Sequence, residues 1–413
     1  MQPYKRWVVF TASFFLVISA ALTNMGQLYF MAALLLALPF VSYLVGMSAL
    51  ANLEFSREVP ASAWDGEVVS FFVVAHNRGR LPRLYLEVRD HLPEWLELAD
   101  GVWPVLSVSG GASVRVPYSV RALKRGSYRL EWITVTALDP LGIFAFSRRF
   151  RVPSDFLVFP RPQPIMELLL SGAERYGFRD LPIAATRGSG IDPDGVREYV
   201  PGDPLRRMHW KSTARTGRLN VIEFEESRAM NVVLALETYR KAHVGSGKHS
   251  TLEYLVQTAA SVAQHALRQS ASIRLITGGD PGRDTGAGRG MDHFYVILSE
   301  LARVEADAGE FMSHHLPERM GRLLPGTTVV ILTTGMDRGL PGVLGQFTRS
   351  GIQVVVAYAV GASFPGGERS ASEEDVEEFV GQVCAADAVP FLLKDTHDGV
   401  LRPAWVQHGS TES

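Results

Sequence analysis

The first fifty residues of the chain contain two long apolar runs. Residues 7–23 and residues 28–51 carry no charged side chain, and a short turn at residues 24–27 separates them. Each run is about long enough to cross the ~30 Å hydrocarbon core of a membrane as an α-helix. Neither shows the polar stripe of a buried amphipathic helix. The pattern predicts a transmembrane helical hairpin over residues 1–53, with a signal peptide ending near Ala21 as the alternative.

Positive charges flank this hairpin but are absent from its turn. Lys5 and Arg6 precede the first run, and Arg57 follows the second. Cytoplasmic flanks of membrane helices are enriched in Lys and Arg. We therefore expect a two-pass protein of the inner (cytoplasmic) membrane, with its soluble domains in the cytoplasm.

From residue 54 to residue 162 the hydrophobic period changes to two. Residues 84–90 and 128–135 alternate apolar and polar side chains, and residues 68–74 form an apolar strand pattern. Short strands at regular spacing with turns between them are typical of an all-β sandwich. We expect six to eight strands in a spacer or interaction module, because no catalytic spacing occurs there.

From residue 230 to residue 400 continuous apolar runs alternate with helical patterns. The predicted strands cover residues 230–236, 273–277, 328–333, 352–360 and 390–394. The predicted helices cover residues 250–267, with Ser250 as N-cap, and residues 291–306, 309–323, 343–350 and 373–386. Buried strands alternating with helices indicate an α/β doubly wound parallel sheet. Residues 401–413 form a tail.

A connector over residues 163–229 joins these domains, with a short helix predicted at residues 165–173. Its residues 197–220 concentrate positive charge, turn-forming residues and one Trp. The cations are Arg197, Arg206, Arg207, Lys211, Arg215 and Arg218, and the acids are Glu198 and Asp203. Three interpretations stay open: a buried ion-pair latch, a site for an anion or a partner protein, and a catalytic loop. One or two helical turns over residues 206–214 are expected to place Trp210 inward.

Composition and the remaining motifs narrow the function. The chain holds 41 Lys and Arg against 43 Asp and Glu, which argues against a general nucleic-acid binder. The single cysteine, Cys384, excludes an internal disulfide and is expected in the core. The Gly-rich residues 278–290 lack the spacing of a P-loop or a dinucleotide fingerprint, so a mobile surface loop is expected there.

The connector also carries a specific signature, composed of Arg197, Tyr199, Gly202, Asp203, Arg206, His209, Trp210, Lys211 and Arg215. With the two membrane spans, Arg-Gly-x-Tyr at residues 125–128 and Asp-Pro-Leu-Gly at residues 139–142, the chain resembles the bacterial domain of unknown function 58 family. The resemblance implies a membrane-anchored cytoplasmic protein with a C-terminal von Willebrand factor A-like domain. It further implies a MoxR-type AAA+ ATPase and a transglutaminase-like membrane protein as partners.

The resemblance also raises the question of a metal. Domains of the von Willebrand factor A type bind a divalent cation through an Asp-x-Ser-x-Ser loop after the first strand. Here that place reads Glu-Thr-Tyr-Arg-Lys at residues 237–241. No cofactor is expected; a retained Mg²⁺ would use the weak candidates Glu237, Thr334 and Asp337, since this ion prefers oxygen ligands.

Three functions follow from these observations. The leading one is a non-enzymatic membrane-anchored scaffold or adaptor that works through protein–protein contacts. The second is an enzyme acting on an anionic substrate, phosphate-bearing or a cell-wall precursor, with His209 and Asp203 as acid or base. The third is a divalent-metal-dependent ligand-binding protein.

Overall fold

The computed structural model describes residues 4–23, 25–139, 142, 144–163, 193–199, 208–224, 231–279, 282–321, 323–367, 371–394 and 402–404. The chain divides into two compact units, Met1–Phe159 and Pro160–Ser413. The helix predicted over residues 165–173 lies outside the described residues.

Two apolar helices open the N-terminal unit and contact each other, α1 (Tyr4–Thr23) and α2 (Gly26–Ser48). Among the described helices, only α2 is long and apolar enough to cross a membrane; the apolar part of α1, Thr11–Thr23, is shorter. Most large side chains of α2 are exposed, including Phe30 and Phe40. One N-terminal helix with the properties of a membrane span is therefore present, and the second span stays a prediction.

The rest of this unit is built from two sheets. Its strands are β1 (Leu53–Glu58), β2 (Ser62–Trp64), β3 (Val68–Asn77), β4 (Arg83–Asp90), β5 (Leu96–Leu98), β6 (Val105–Val108), β7 (Ser113–Ala122), β8 (Gly126–Leu138) and β9 (Ala145–Phe159). One sheet has the order β1-β3-β7-β5 and the other β2-β9-β8-β4-β6. All pairings are antiparallel except β2 with β9.

Both sheets contribute to one hydrophobic core. Phe71 and Val120 come from the first sheet, and Leu86, Ile133 and Phe156 from the second; none is more than 1 % exposed. The described part of this unit holds nine strands, so the expectation of six to eight is wrong. The longest strand, β9, was not predicted because the neighbouring Arg148 and Arg149 interrupt the alternation of period two.

A buried ion pair joins the two sheets. Arg57 of β1 donates to the Asp90 carboxylate of β4 at 2.7 Å, and also to the carbonyl oxygens of Leu130 and Val152. Tyr118 donates to the other Asp90 oxygen, and burial raises the pKa of this phenol far above its ordinary value. The β8–β9 ladder bulges beside Leu130, where its carbonyl turns to Arg57. Arg57 is thus a core residue and not a surface cation. The prediction that both ends of the membrane hairpin face the cytoplasm therefore loses one of the flanking positive charges on which it was based.

The C-terminal unit contains a six-stranded mixed sheet. Its strands are β12 (Asn231–Leu236), β15 (Ser272–Thr277), β16 (Thr328–Thr334), β17 (Gln353–Ala359), β18 (Val389–Lys394) and β19 (Arg402–Ala404). Their order is β15-β12-β16-β17-β18-β19, with only the last pairing antiparallel. A short hairpin, β13 (Gly245–Ser246) with β14 (His249–Ser250), follows β12.

Helices pack against this sheet. They are α4 (Thr251–Arg268), α5 (Gly290–Arg303), α6 (Leu316–Met320), α7 (Leu340–Arg349) and α8 (Glu373–Ala385). Helices α6, α7 and α8 share a core with alternate strand residues such as Val233, Ile331 and Val356. Helix α4 contacts four strands of the sheet but has no residue in that core, so it covers the other face. The α/β character predicted from the apolar runs is confirmed.

Two predicted elements need comment. Ser250 caps α4 by accepting the backbone N–H of Glu253, as predicted. The helix predicted over residues 309–323 is wrong: a 3₁₀ turn, Met312–His314, precedes the five-residue α6. Pro317 explains the break, because proline has no N–H to donate to the preceding turn.

The signature region forms a small element of its own. Strands β10 (Pro193–Glu198) and β11 (Asn220–Phe224) pair as an antiparallel ladder, and a short helix, α3 (Trp210–Thr216), lies between them in the chain. Met208 bridges to Val221, and both are buried.

Candidate functional site: the signature helix and the carboxyl edge of the sheet

Helix α3 is fixed at both ends. At its start His209 accepts the backbone N–H of Ser212 through Nδ1, at 3.1 Å. At its end Gly217 adopts a left-handed conformation with φ 69° and donates its N–H to the Thr213 carbonyl oxygen. Such caps satisfy the free polar groups of helix ends. A seven-residue helix is marginal by itself, so these caps and the ladder beneath it stabilise its position.

The exposed side of α3 carries an aromatic residue and cations. Trp210 is 68 % exposed, and Lys211 and Arg215 are also exposed. The expectation that Trp210 points inward is wrong, because His209 takes the capping position and the buried contact comes from Met208. No acidic side chain lies within the helix.

The ion pair described in the signature region lies at the protein surface. Arg218 donates to Glu198 at 2.7 Å, but the two side chains are 76 % and 57 % exposed. Exposed pairs contribute about 0–1 kcal/mol. This pair does not supply the buried latch that the charge pattern suggested.

The other signature residues are only partly described. Tyr199 is half-buried and donates its backbone N–H to the Leu219 carbonyl oxygen, and the backbone of Arg197 pairs with Val221. Gly202, Asp203 and Arg206 lie outside the described residues. The structure therefore brings together Tyr199, His209, Trp210, Lys211 and Arg215 on one small element.

The capping role of His209 limits its use in acid–base chemistry. Because Nδ1 accepts a backbone N–H, the neutral ring carries its proton on Nε2. The Ser212 hydroxyl also lies 2.7 Å from Nδ1. His209 thus has no free lone pair for a general base while the cap is formed.

The second candidate location is the carboxyl edge of the six-stranded sheet. Strand β12 precedes β15 on one side and β16 on the other, so the winding direction changes between β12 and β16. Ligands of open α/β sheets bind at such switch points. Glu237 follows β12 there, and Thr334 and Asp337 lie at the end of β16; all three are buried.

The Glu237 carboxylate is fully engaged with backbone groups. Oε1 accepts the N–H groups of Thr238 and Tyr239 at 2.8 Å each, and Oε2 accepts that of Met312 at 2.9 Å. Burial raises the pKa of Glu237, and the nearby Asp337 charge raises it further, while the three N–H donors oppose the shift.

Asp337 and Thr334 also form hydrogen bonds within the protein. Asp337 Oδ1 accepts the Ser313 hydroxyl at 2.8 Å and the Gly339 N–H at 3.0 Å. Thr334 donates its hydroxyl to the Ala359 carbonyl oxygen at 2.9 Å. Glu237 and Asp337 therefore hold residues 308–313, which we call the crossing segment, over the end of the sheet.

These contacts argue against a divalent cation at this place. Both oxygens of Glu237 and Oδ1 of Asp337 already accept N–H or O–H donors, whose positive hydrogens repel a cation. Among the described residues, no three side chains of His, Cys, Asp or Glu group as metal ligands do. Glu237, Thr334 and Asp337 as they are bonded here do not fit the Mg²⁺ site that the sequence resemblance implies.

Two clefts flank the crossing segment. One, of about 350 Å³, is lined by Gly278, Gly279, Glu310, His315 and Arg319, among others. The other, of about 370 Å³, is lined by Lys241, Phe311, Met336 and Tyr358, among others. In the first cleft His315 bonds to Glu310, and Arg319 donates to main-chain carbonyl groups.

The Gly-rich residues after β15 are held by protein contacts in their described part. Asp284 pairs with Arg274, and backbone bridges join Asp284 to Ile276 and Gly288 to Ile273. Arg319 donates to the carbonyl oxygens of Thr277 and Gly279. These two carbonyl groups therefore point towards Arg319. A phosphate cradle would instead present free backbone N–H groups to the ligand, so this loop does not have the arrangement of a phosphate cradle.

Comparison with known proteins agrees with the signature. Residues 195–357 match the family described as "Protein of unknown function DUF58", so the resemblance noted from the sequence is confirmed over this region. The chain is 25% identical over 296 residues to "Uncharacterized protein YeaD" of Bacillus subtilis (strain 168), which covers 69% of this chain and 71% of that protein.

Two solved structures of Escherichia coli alpha-2-macroglobulin also match in part. The native form, from domain MG7 to the C-terminus, is 18% identical with a TM-score of 0.23, covering 27% of this chain and 17% of that chain. The trypsin-activated form is 16% identical with a TM-score of 0.22, covering 38% and 9%.

Proposed function

We propose that the protein is a membrane-anchored adaptor that recruits a protein partner through α3. In this proposal α1 and α2 cross the inner membrane as a hairpin with both ends in the cytoplasm. Residues 54–162 are a β-sandwich spacer, residues 163–229 the signature connector, and residues 230–400 a von Willebrand factor A-like domain.

The exposure of Trp210 carries the proposal. Trp210 has 68 % of its surface in solvent on a helix fixed at both ends, so its large ring is held where a partner can cover it. Trp and Arg are also the residues that most often dominate the binding energy of interfaces. The adjacent Lys211 and Arg215 suit an acidic partner surface.

The family resemblance supplies the partner. A MoxR-type AAA+ ATPase is the proposed binder of α3, and a transglutaminase-like membrane protein is a further member of the assembly. At the carboxyl edge of the sheet, Glu237 and Asp337 bond the protein's own crossing segment. The carboxylates there therefore have a structural role, which agrees with a protein that binds partners through α3.

The test is a binding measurement between the full chain in nanodiscs and the MoxR-type ATPase of the same organism. Trp210→Ala combined with Lys211→Glu should raise the Kd by at least about tenfold, the loss of one strong interface anchor. The matched control is Leu324→Ala combined with Arg349→Glu, since Leu324 is equally exposed and Arg349 lies at the exposed end of α7. Equal weakening by both pairs, or no binding by the wild type, would refute the proposal.

A further inference from the structure

The β8–β9 hairpin packs against the apolar helix α2. The Tyr43 ring contacts the rings of Phe144 and Phe146 at centroid distances of 5.4 and 5.3 Å. Ser42 donates a hydrogen bond to the buried Asp139, at the end of β8. Gly46 lies directly against Phe146, where a Cβ would come within 2.5 Å of the ring. The described residues at this end of the hairpin, Leu138, Asp139 and Phe144, which we call the hairpin tip, thus lie beside the helix.

The position of this contact along α2 determines the depth at which the hairpin tip would lie in a membrane. Ser42 lies six residues before the end of the helix at Ser48, or about 9 Å at 1.5 Å per residue. A helix that spans the ~30 Å hydrocarbon core would carry the tip at or inside the membrane boundary. Asp139 fits that environment, because it accepts both the Ser42 hydroxyl and the Phe144 N–H at 2.6 Å.

The surface of the hairpin changes from apolar to cationic away from the tip. Leu138, at the tip, is 48 % exposed, and Arg148 and Arg149 are exposed further along β9. They lie three and four residues beyond Ala145, or about 10 and 13 Å. This distance takes them past the level of the helix end, where lipid headgroups begin.

The exposed charges near the hairpin tip are of one sign. Between residues 132 and 151 the only acidic residue is Asp139, which faces α2. Arg148 lies over the Phe150 ring at 5.1 Å, and Arg149 has no carboxylate within ion-pair distance among the described residues. Arginine guanidinium groups bind phosphate in a bidentate manner.

We propose that the β8–β9 hairpin is a second membrane contact of this protein, specific for anionic lipid. Its tip, with Leu138, inserts at the boundary of the hydrocarbon core, and Arg148 and Arg149 bind the phosphates of the headgroups. The inference rests on the proposed membrane-spanning role of α2, and it adds a lipid class and a defined surface.

Depth-dependent fluorescence quenching tests the insertion. The full chain, with Cys384→Ser, carries one NBD-labelled cysteine and is reconstituted in vesicles of phosphatidylcholine with phosphatidylglycerol and a nitroxide-labelled lipid. The label is placed at Leu138→Cys, at Leu36→Cys in the middle of α2, or at Arg129→Cys. Arg129 is an exposed residue near the other end of β8, about 30 Å from Leu138.

Shallow nitroxides should quench Leu138→Cys at least about twofold more than Arg129→Cys, and deep nitroxides should quench Leu36→Cys. Quenching at residue 36 with none at residue 138 overturns the hairpin contact and leaves the membrane span intact. Absence of quenching at residue 36 overturns the membrane span and the hairpin contact together.

A second arm tests the lipid class. Replacing phosphatidylglycerol by phosphatidylcholine should reduce the quenching at residue 138 in the wild-type background. Arg148→Gln with Arg149→Gln should abolish that dependence, whereas the matched pair Arg115→Gln with Arg121→Gln, two exposed arginines of β7, should preserve it. If the quenching at residue 138 does not change with lipid charge in the wild-type background, Arg148 and Arg149 do not bind the headgroup phosphates and this part of the proposal is overturned.

Discussion

The Arg57 guanidinium lies 2.7 Å from the Asp90 carboxylate, and the two side chains are 0 % and 1 % exposed. The pair connects the two sheets of the N-terminal unit, and Tyr118 and two main-chain carbonyl groups complete its hydrogen bonds. Removing one partner of a buried pair leaves an uncompensated charge in the core.

We therefore expect Arg57→Ala to destabilise the N-terminal unit by about 3–5 kcal/mol. Pulse proteolysis of the full chain in urea, scored on the N-terminal fragment, measures the change. Arg115→Ala is the matched control, because Arg115 pairs with Glu58 at 2.8 Å but both are about half exposed. It should cost at most about 1 kcal/mol. Equal losses in the two variants would contradict a core role for Arg57.

Glu237→Gln should destabilise the C-terminal unit by about 1–3 kcal/mol, because an amide cannot accept with both ends and one backbone N–H loses its partner. The effect should depend on pH. The folded-state pKa of Glu237 is raised above its ordinary value of 4.5. The stability that Glu237 contributes is thus fully present below the unfolded-state pKa and is lost as pH rises through the folded-state pKa.

The difference in free energy of unfolding between wild type and Glu237→Gln should accordingly shrink as pH rises from about 4 towards neutrality. Pulse proteolysis scored on the C-terminal fragment measures it at each pH. Glu377→Gln, on the exposed side of α8, corrects for the loss of one negative charge. A difference that grows with pH would contradict the raised pKa.

Gly46→Ala should loosen the β8–β9 hairpin from α2. The added Cβ would come within 2.5 Å of the Phe146 ring, so the ring must move and the contact with Tyr43 weakens. Hydrogen exchange of the peptide that begins at Phe144 should become faster. Gly26→Ala is the control, since a Cβ at Gly26 meets nothing within 4 Å. Unchanged exchange in Gly46→Ala would show that Phe146 is not held by the helix.

Cys384 should react slowly with alkylating reagents in the folded protein. Burial raises the pKa of its thiol above the ordinary value of 9.0, so less of the reactive thiolate is present at pH 8. Iodoacetamide labelling should be slower than that of the urea-unfolded chain, and the ratio of the two rates is the measurement. Equal rates in both states would place the thiol in open solvent.

The sequence predicts five of the six described strands of the C-terminal sheet well, because each of these is a continuous apolar run. The predicted tail is wrong at Arg402–Ala404, which forms β19 and makes the predicted parallel sheet a mixed one. Both ends of β12 and both ends of β16 lie within one residue of the predicted bounds, 230–236 and 328–333. The exception, residues 309–323, is instructive: its apolar residues have helical spacing, yet they form the crossing segment and two short turns. Long-range bonds from Glu237 and Asp337 decide that conformation, and they leave no local pattern.

The site was less predictable for a related reason. A helical turn over residues 206–214 predicts that Trp210 points inward, but the capping residue His209 and the ladder contact of Met208 turn it outward. The sequence predicts Arg57 as a cation flanking the membrane span, and only its position beside Asp90 in the fold shows that it is a core residue. A polar Ser42 four residues before Gly46, inside an apolar run, was the one local signal that α2 has a docked side.

The bond between Ser42 and Asp139 joins residues 97 positions apart. During synthesis at about 5–20 residues per second, α2 leaves the ribosome roughly 5–20 s before its partner strand exists. In the proposed membrane-spanning arrangement, α2 is in the bilayer before Asp139 is made, and the later strands close on a helix already in place. The first unit would then assemble from the membrane outward.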